Sequence, residues 1–337
     1  MKLRISSILG WMVMAAWAVT AGCLSSAAAD SATSRNPIVR VVTISQAELI
    51  RDKNDLLEPT LERLNRAASF HPDIACLPEL FSNRPAEPVP GPVTERMAGW
   101  AREHSSYVIF GLQTQRGGRV YNSAILIDRQ GRIVGQYDKI HPTDGEIKGG
   151  TTPGDESGPP VFQTDFGTIG IQICFDVNWR EEWLHLKQRG AQIVFWPSAY
   201  PAERQIPALA LVNEFYVVSS TMRGASHIYD ITGQDLASSG AYQPWAGAAL
   251  PLGKRLFETD YNAKKVPDIE QKYGSRVQVV WYHDSDWLTV ASLDPTLTME
   301  DLIAEYGLIP LDAYIQQSSK LIDQTRARAE GKAAAAK

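Results

Sequence analysis

The chain has 337 residues, 44% of them hydrophobic, enough to bury one large α/β core or two ordinary ones. Its formal net charge of −5 comes from interspersed signs, 33 Lys and Arg against 38 Asp and Glu, with no basic stripe. This argues against nucleic acid as a partner and favours a small-molecule substrate.

Lys2 and Arg4 precede an apolar run from Ile8 to Ala21 and then small residues, the pattern of a secretory signal. Two processing routes stay open. Ala27-Ala28-Ala29 offers ordinary cleavage, removing residues 1–29. Thr20-Ala21-Gly22-Cys23 resembles a bacterial lipobox, although Thr20 stands where Leu is usual. By that route residues 1–22 are removed and a lipidated Cys23 attaches the protein to a membrane. Either route exports the mature chain to the periplasm or beyond. Only Cys76 and Cys174 then remain, which is no disulfide framework. Cys76, within Ile74-Ala75-Cys76-Leu77, reads as a small buried core residue.

After a short leader from Ser31 to Pro37, Ile38 to Ile44 is rich in β-branched residues and predicts the first strand. Gln46 to Ser69 carries apolar residues at three and four spacings and predicts an amphipathic helix. Ile74 to Leu77 predicts a second strand, so strand, helix and strand suggest parallel pairing through a crossover. A Pro-rich loop from Pro85 to Pro92 leads to a helix over Val93 to His104 and a strand over Tyr107 to Gly111. Val120 to Ile127 and Ile133 to Tyr137 flank the turn Asp128-Arg129-Gln130-Gly131 as a hairpin. The loop from His141 to Pro160 is long for a compact domain, which marks it as functional. Next come a strand over Gly167 to Cys174, a helix over Trp183 to Gln188, and a strand over Ala191 to Trp196. A helix over Ile206 to Glu214 and a strand over Phe215 to Thr221 follow. Residues 240–275 read as an irregular insertion. The β-rich pieces Val277 to Tyr282 and Trp287 to Leu293 close a domain over residues 38–295, and residues 296–337 form a helical extension broken near Pro310, with a frayed tail.

Three residues carry the chemistry. Glu79, in Leu77-Pro78-Glu79-Leu80-Phe81, follows a buried strand among apolar neighbours, where desolvation suits a carboxylate to general base work. Lys139, in Tyr137-Asp138-Lys139-Ile140-His141, could stabilise an oxyanion. Cys174 ends an apolar strand, and the turn Phe175-Asp176-Val177-Asn178-Trp179 would expose its sulfur and offer a backbone N–H. Taken singly, each has an ordinary explanation: a solvated loop carboxylate, an ion pair with Asp138 or Glu146, a core cysteine. Their conjunction decides, because all three sit at carboxyl ends of predicted strands, where open α/β sheets bind ligands.

These blocks resemble the carbon–nitrogen hydrolase (nitrilase) superfamily, whose triad is Glu, Lys and Cys. The matching segments are Leu77 to Phe81, Tyr137 to His141 and Gly167 to Asp176, supported by Pro153-Gly154-Asp155 and by Gly190 to Ala199. The resemblance covers about Ile38 to Gly233. It implies a four-layer α-β-β-α sandwich, commonly paired into dimers or larger homo-oligomers. It also implies catalysis by Glu79, Lys139 and Cys174 through a thioester, with the Phe175 N–H on the oxyanion and Glu146 as a second glutamate. Asp176, Asn178, Trp179, Trp196 and Ser198 are the candidate substrate contacts, and no cofactor or metal is called for.

Phe175-Asp176 after the nucleophile resembles the amidase and carbamoylase branches, since nitrilases usually have Trp-Glu there. Asn178-Trp179-Arg180 lacks the paired arginines that carbamoyl-amino-acid hydrolases use to grip a carboxylate. The expected activity is hydrolysis of a small amide or ureido compound. Nitrile hydrolysis by the same triad, or a silent binding protein on the same fold, are the alternatives. A Cys–His hydrolase would leave the Glu and Lys blocks unexplained, and His141, His185 and His227 fit no such motif.

Overall fold

A computed structural model describes residues 38–49 and 55–335. The signal segment, Cys23, the leader and the last two residues of the tail lie outside the described residues. In chain order the first half contains β1 (Ile38–Ile44), α1 (Leu57–Ala67), β2 (Ile74–Cys76), α2 (Pro92–His104), β3 (Tyr107–Arg116), β4 (Arg119–Ile127), β5 (Ile133–Asp138) and α3 (Asp144–Lys148). Then follow β6 (Val161–Gln163), β7 (Thr168–Ile171), α4 (Arg180–Gln188), β8 (Ile193–Ser198), α5 (Gln205–Asn213), β9 (Tyr216–Thr221), β10 (His227–Tyr229) and β11 (Asp235–Ser238). The last part holds β12 (Trp245–Pro251), β13 (Arg255–Glu258), α6 (Thr259–Asn262), α7 (Val266–Tyr273), β14 (Val277–Tyr282), β15 (Trp287–Ser292), α8 (Met299–Tyr306) and α9 (Leu311–Ala335).

Two six-stranded sheets, ordered β12-β1-β2-β3-β4-β5 and β11-β10-β9-β8-β7-β6, face each other. Between them lies a buried apolar layer that includes Val41, Ile109, Leu126, Ile171, Phe195 and Val218. Alternation along the strands sends the other set outward. Val42, Val108 and Phe110 meet α1 and α2, while Val194, Trp196 and Val217 meet α4 and α5. In α1, Leu57, Leu61 and Leu64 fall on one face at the four and three spacing of a helix. The result is the expected four-layer α-β-β-α sandwich.

The structure corrects several boundaries. The helix expected from Gln46 begins only at Leu57, where the Asp55 carboxylate accepts the Leu57 N–H at 3.0 Å. The loop after Lys139 contains α3, opened by a capping box in which Thr143 and Glu146 bond each other's backbone N–H groups. The strand expected to reach Cys174 ends at Ile171.

Residues 240–275 are not an irregular insertion: β12 pairs antiparallel with β1 along its whole length, from Ile38 opposite Pro251 to Ile44 opposite Trp245. Val277 to Tyr282 and Trp287 to Ser292 are strands, as expected, and stand apart from the two main sheets. They form a third sheet, β13-β15-β14, with its own apolar cluster around Phe257, Ile269, Val290 and Met299. The C-terminal helices are integral to this arrangement, because Met299, Leu302 and Leu308 belong to that cluster and Leu311 to the layer between the sheets.

Candidate active site

Glu79 stands past β2 on a segment that still runs beside β3: Leu77 N–H bonds Ile109 O at 2.8 Å and Gly111 N–H bonds Pro78 O at 3.1 Å. Gly111 is needed for that approach, since a Cβ there would lie 2.5 Å from the Glu79 Cα. Lys139 follows β5 directly and is held through its own backbone, its N–H bonding Asn122 O and its carbonyl accepting the Gly154 N–H, both at 2.8 Å. Gly154 explains the Pro-Gly-Asp block, for a Cβ there would sit 2.2 Å from Asp138 O.

These elements bring three charges together in the interior. Lys139 Nζ donates to Glu79 Oε1 at 2.8 Å and to Glu146 Oε2 at 2.7 Å, with Lys139 1% and Glu79 4% exposed. Asn122 Nδ2 donates to the same Glu79 Oε1 and to Glu146 Oε1, each at 2.7 Å. Burial works against the Lys139 ammonium, but Glu79, Cys174 and Glu146 outweigh it and hold its pKa above the ordinary lysine value. Burial likewise works to raise Glu146, yet Lys139, the Thr143 N–H and Asn122 prevail and hold it low.

Cys174 opens a 3-10 turn, Cys174–Asn178, with φ at +47°, a strained value for a residue other than glycine. The strain is held by two bonds: Trp196 Nε1 donates to Cys174 O, and Ile173 N–H to Asp176 Oδ2, both at 3.0 Å. The Phe175 N–H lies in the first turn, where helical N–H groups have no partner within the helix. Burial pushes the thiol up to about 12, Glu79 adds to this, and Lys139, the Ala199 N–H and Ser198 oppose it. The resting group is therefore a neutral thiol, and the nearby cation does not win. Cys76 is fully buried and unpaired, as its neighbours suggested.

The candidate substrate contacts divide. Asp176 is fully buried and committed to protein donors: Tyr137 Oη at 2.8 Å, His141 N–H at 2.9 Å and Ile173 N–H at 3.0 Å. Trp196 is fully buried beneath the nucleophile, and Ser198 is fully buried within its own turn, bonding Tyr200 O at 2.8 Å. None of the three presents a surface to substrate: Asp176 and Trp196 hold the backbone around Cys174, and Ser198 holds the turn to Tyr200 while lowering the thiol's pKa. Asn178 is exposed and bonds Phe175 O, and the half-buried Trp179 stacks on His141 with ring centroids 3.5 Å apart. Asn122 and Tyr200 also belong here, although their sequence neighbourhoods do not mark them. Burial, Cys174 and Glu79 all raise the Tyr200 hydroxyl, which places it in the field of the site. The only available signal for Asn122 was an amide in the middle of an apolar strand.

His141, Asp176 and Glu182 are the one metal-compatible cluster among the described residues. Both Asp176 oxygens already accept from protein donors, and His141 Nε2 lies 2.7 Å from Glu182, so the cluster is a hydrogen-bonded network tying α4 to the site.

A Glu–Lys–Glu cluster, buried at Glu79 and Lys139, and a strained cysteine are gathered at the strand ends of a doubled sheet. Residues 39–248 match the family model of carbon-nitrogen hydrolases, and the chain belongs to that family as an amidase-type enzyme acting on non-peptide C–N bonds. It is 30% identical to the deaminated glutathione amidase of Bos taurus over 60% of this chain and 70% of that protein. It is 27% identical to the omega-amidase NIT2 of Mus musculus over 75% of this chain and 98% of that one. A solved structure of an amidase from Nesterenkonia sp. superposes with a TM-score of 0.56 at 20% identity, covering 69% of this chain and 97% of the other, a likeness of fold.

Proposed function

We propose that Cys174, Glu79 and Lys139 hydrolyse a small-molecule amide. The observation that carries this is the shared Glu79 Oε1, which accepts from both Lys139 and Asn122. The other Glu79 oxygen, Oε2, is left to take the thiol proton. Because the thiol is neutral at rest, that proton leaves as sulfur attacks the carbonyl carbon. Lys139 stays protonated and, with the Phe175 N–H, stabilises the oxyanion that forms. The tetrahedral adduct collapses, the C–N bond breaks, and the protonated Glu79 delivers its proton to the departing ammonia or amine. A thioester on Cys174 remains. Glu79 then takes a proton from water, hydroxide adds to the thioester, and the carboxylic acid leaves as the thiol regains its proton.

The deaminated glutathione amidase and omega-amidase names of the relatives, together with Phe175-Asp176, favour an amide over a nitrile. A panel of primary amides, ureido compounds, substituted amides and nitriles, scored for ammonia or amine release, tests this with Cys174→Ala as the blank. Amide turnover that vanishes in the blank is expected, and turnover of nitriles alone would overturn the assignment.

Two further features belong to the same proposal. Lys2, Arg4 and the apolar run from Ile8 support export, with Cys23 as the lipid attachment point if the lipobox is used. Mass spectrometry of the mature N-terminus separates the two routes, and an intact Met1 would refute both. The second is a homo-oligomer formed through α4 and α5. Helix α5 is apolar on all sides, and Val212 and Leu184 are 71% and 49% exposed, as a helix awaiting cover would be.

A further inference from the structure

We infer that Asn122 is a positioning residue of the reaction: its side-chain amide holds the Glu79 and Glu146 carboxylates in one ring with Lys139 and so selects the Glu79 oxygen that works as the base. The inference rests on the catalytic roles proposed above for Glu79 and Cys174.

The ring is closed at every step. Asn122 Nδ2 lies 2.7 Å from Glu79 Oε1 and 2.7 Å from Glu146 Oε1. Lys139 Nζ closes the other side at 2.8 Å and 2.7 Å. Asn122 also accepts the Lys139 backbone N–H through its own carbonyl, so one residue bonds both carboxylates and fixes the backbone that carries the ammonium. The chemistry of the neighbours dictates its amide orientation, because two carboxylates require donors and would repel an oxygen. The consequence is visible at Oδ1, which is buried without a hydrogen-bond partner among the described residues. A residue kept only to fill space in β4 has no reason to bury an unpaired acceptor, whereas one kept for its two N–H groups must. Without them, Glu79 could turn about its terminal bond and place both oxygens on Lys139.

Asn122→Ala and Asn122→Asp test the inference, with Cys174→Ala as the blank and the wild-type melting profile as the fold control. The groups facing position 122 are Glu79, Lys139 and Glu146, with Cys174 next in line and Asp138 engaged by Ser123 and Arg116. In Asn122→Ala the carboxylates lose donors that favour their ionised form. The expected result is a fall in kcat of about 10- to 100-fold with KM little changed, and an acid limb of kcat/KM moved up by about one pH unit. Iodoacetamide labelling of Cys174 at neutral pH slows by a similar factor.

Asn122→Asp is nearly isosteric and keeps the packing if the alanine variant fails to fold. A third carboxylate in the ring can donate only when the cluster takes up a proton, so its activity rises as pH falls. Activity lost on the acid side in the alanine variant but on the alkaline side in the aspartate variant is a contrast that loss of packing alone would not produce. Folded variants with wild-type kcat and an unmoved pH profile would overturn the inference while leaving the cysteine mechanism standing. Activity surviving in Cys174→Ala would instead overturn the mechanism itself.

Discussion

Asp176 stands two residues beyond Cys174 and shows how one buried carboxylate supports a strained nucleophile without meeting substrate. Three donors, from Tyr137, His141 and Ile173, join the end of β5 to the turn after β7, and so set Lys139 against Cys174. Burial pushes Asp176 up to about 7 despite those donors. A carboxyl raised in the folded state binds its proton more tightly there than in the unfolded chain. Its contribution is therefore full below the ordinary carboxylate value of 3.8 and is lost as pH rises to about 7, at about 1.4 kcal/mol per pH unit. Asparagine cannot ionise. The stability advantage of the wild type over Asp176→Asn should narrow between pH 4 and 7 and stay flat above, which urea unfolding at a series of pH values would reveal. A constant difference would mean that Asp176 is ionised throughout.

At the scale of elements, the site depends on backbones that touch. The segment bearing Glu79 lies against β3 at Gly111, and the segment bearing Lys139 lies against Gly154. Gly111→Ala would place a methyl group 2.5 Å from the Glu79 Cα and displace Glu79, the base proposed above, by a fraction of an ångström. A loss of about 100-fold in kcat/KM is expected, with about 1–3 kcal/mol of stability. Steady-state kinetics beside a melting curve would separate the two, and wild-type kinetics would show that the contact does not place Glu79. The same scale shows where sequence patterns failed. Ala246-Gly247-Ala248-Ala249 has little intrinsic strand preference, yet it pairs with β1 across roughly two hundred residues of chain, because the main-chain donors of β1 need an antiparallel partner.

For the whole molecule, the two helical layers do different work. α1 and α2 close one side of the sandwich with Leu61, Leu64, Met97 and Trp100 fully buried. α5 turns Ile206, Leu209 and Ala210 inward but leaves Val212 outward. If this face joins protomers, Leu184→Glu with Val212→Glu should reduce the particle to a monomer by light scattering while the melting profile of the protomer changes little. An unchanged mass would locate any assembly elsewhere. The third sheet and α8 add a separate apolar cluster at the end of the chain, and α9 runs largely exposed beyond Leu311.

The sequence by itself determined the succession of strands and helices from local patterning, and its Glu, Lys and Cys blocks carried the resemblance that implies the sandwich and points to Glu79, Lys139 and Cys174. Glu146 came through the same resemblance, and the structure adds the capping box from Thr143 to Glu146 that holds it in place. Only the tertiary structure decided that Asp176 and Trp196 hold the backbone around Cys174, that Ser198 is buried, and that Asn122 bonds Glu79 and Glu146. Those assignments depend on which side chains from distant strands share one buried space, and a buried polar group declares its purpose only through the partners that satisfy it.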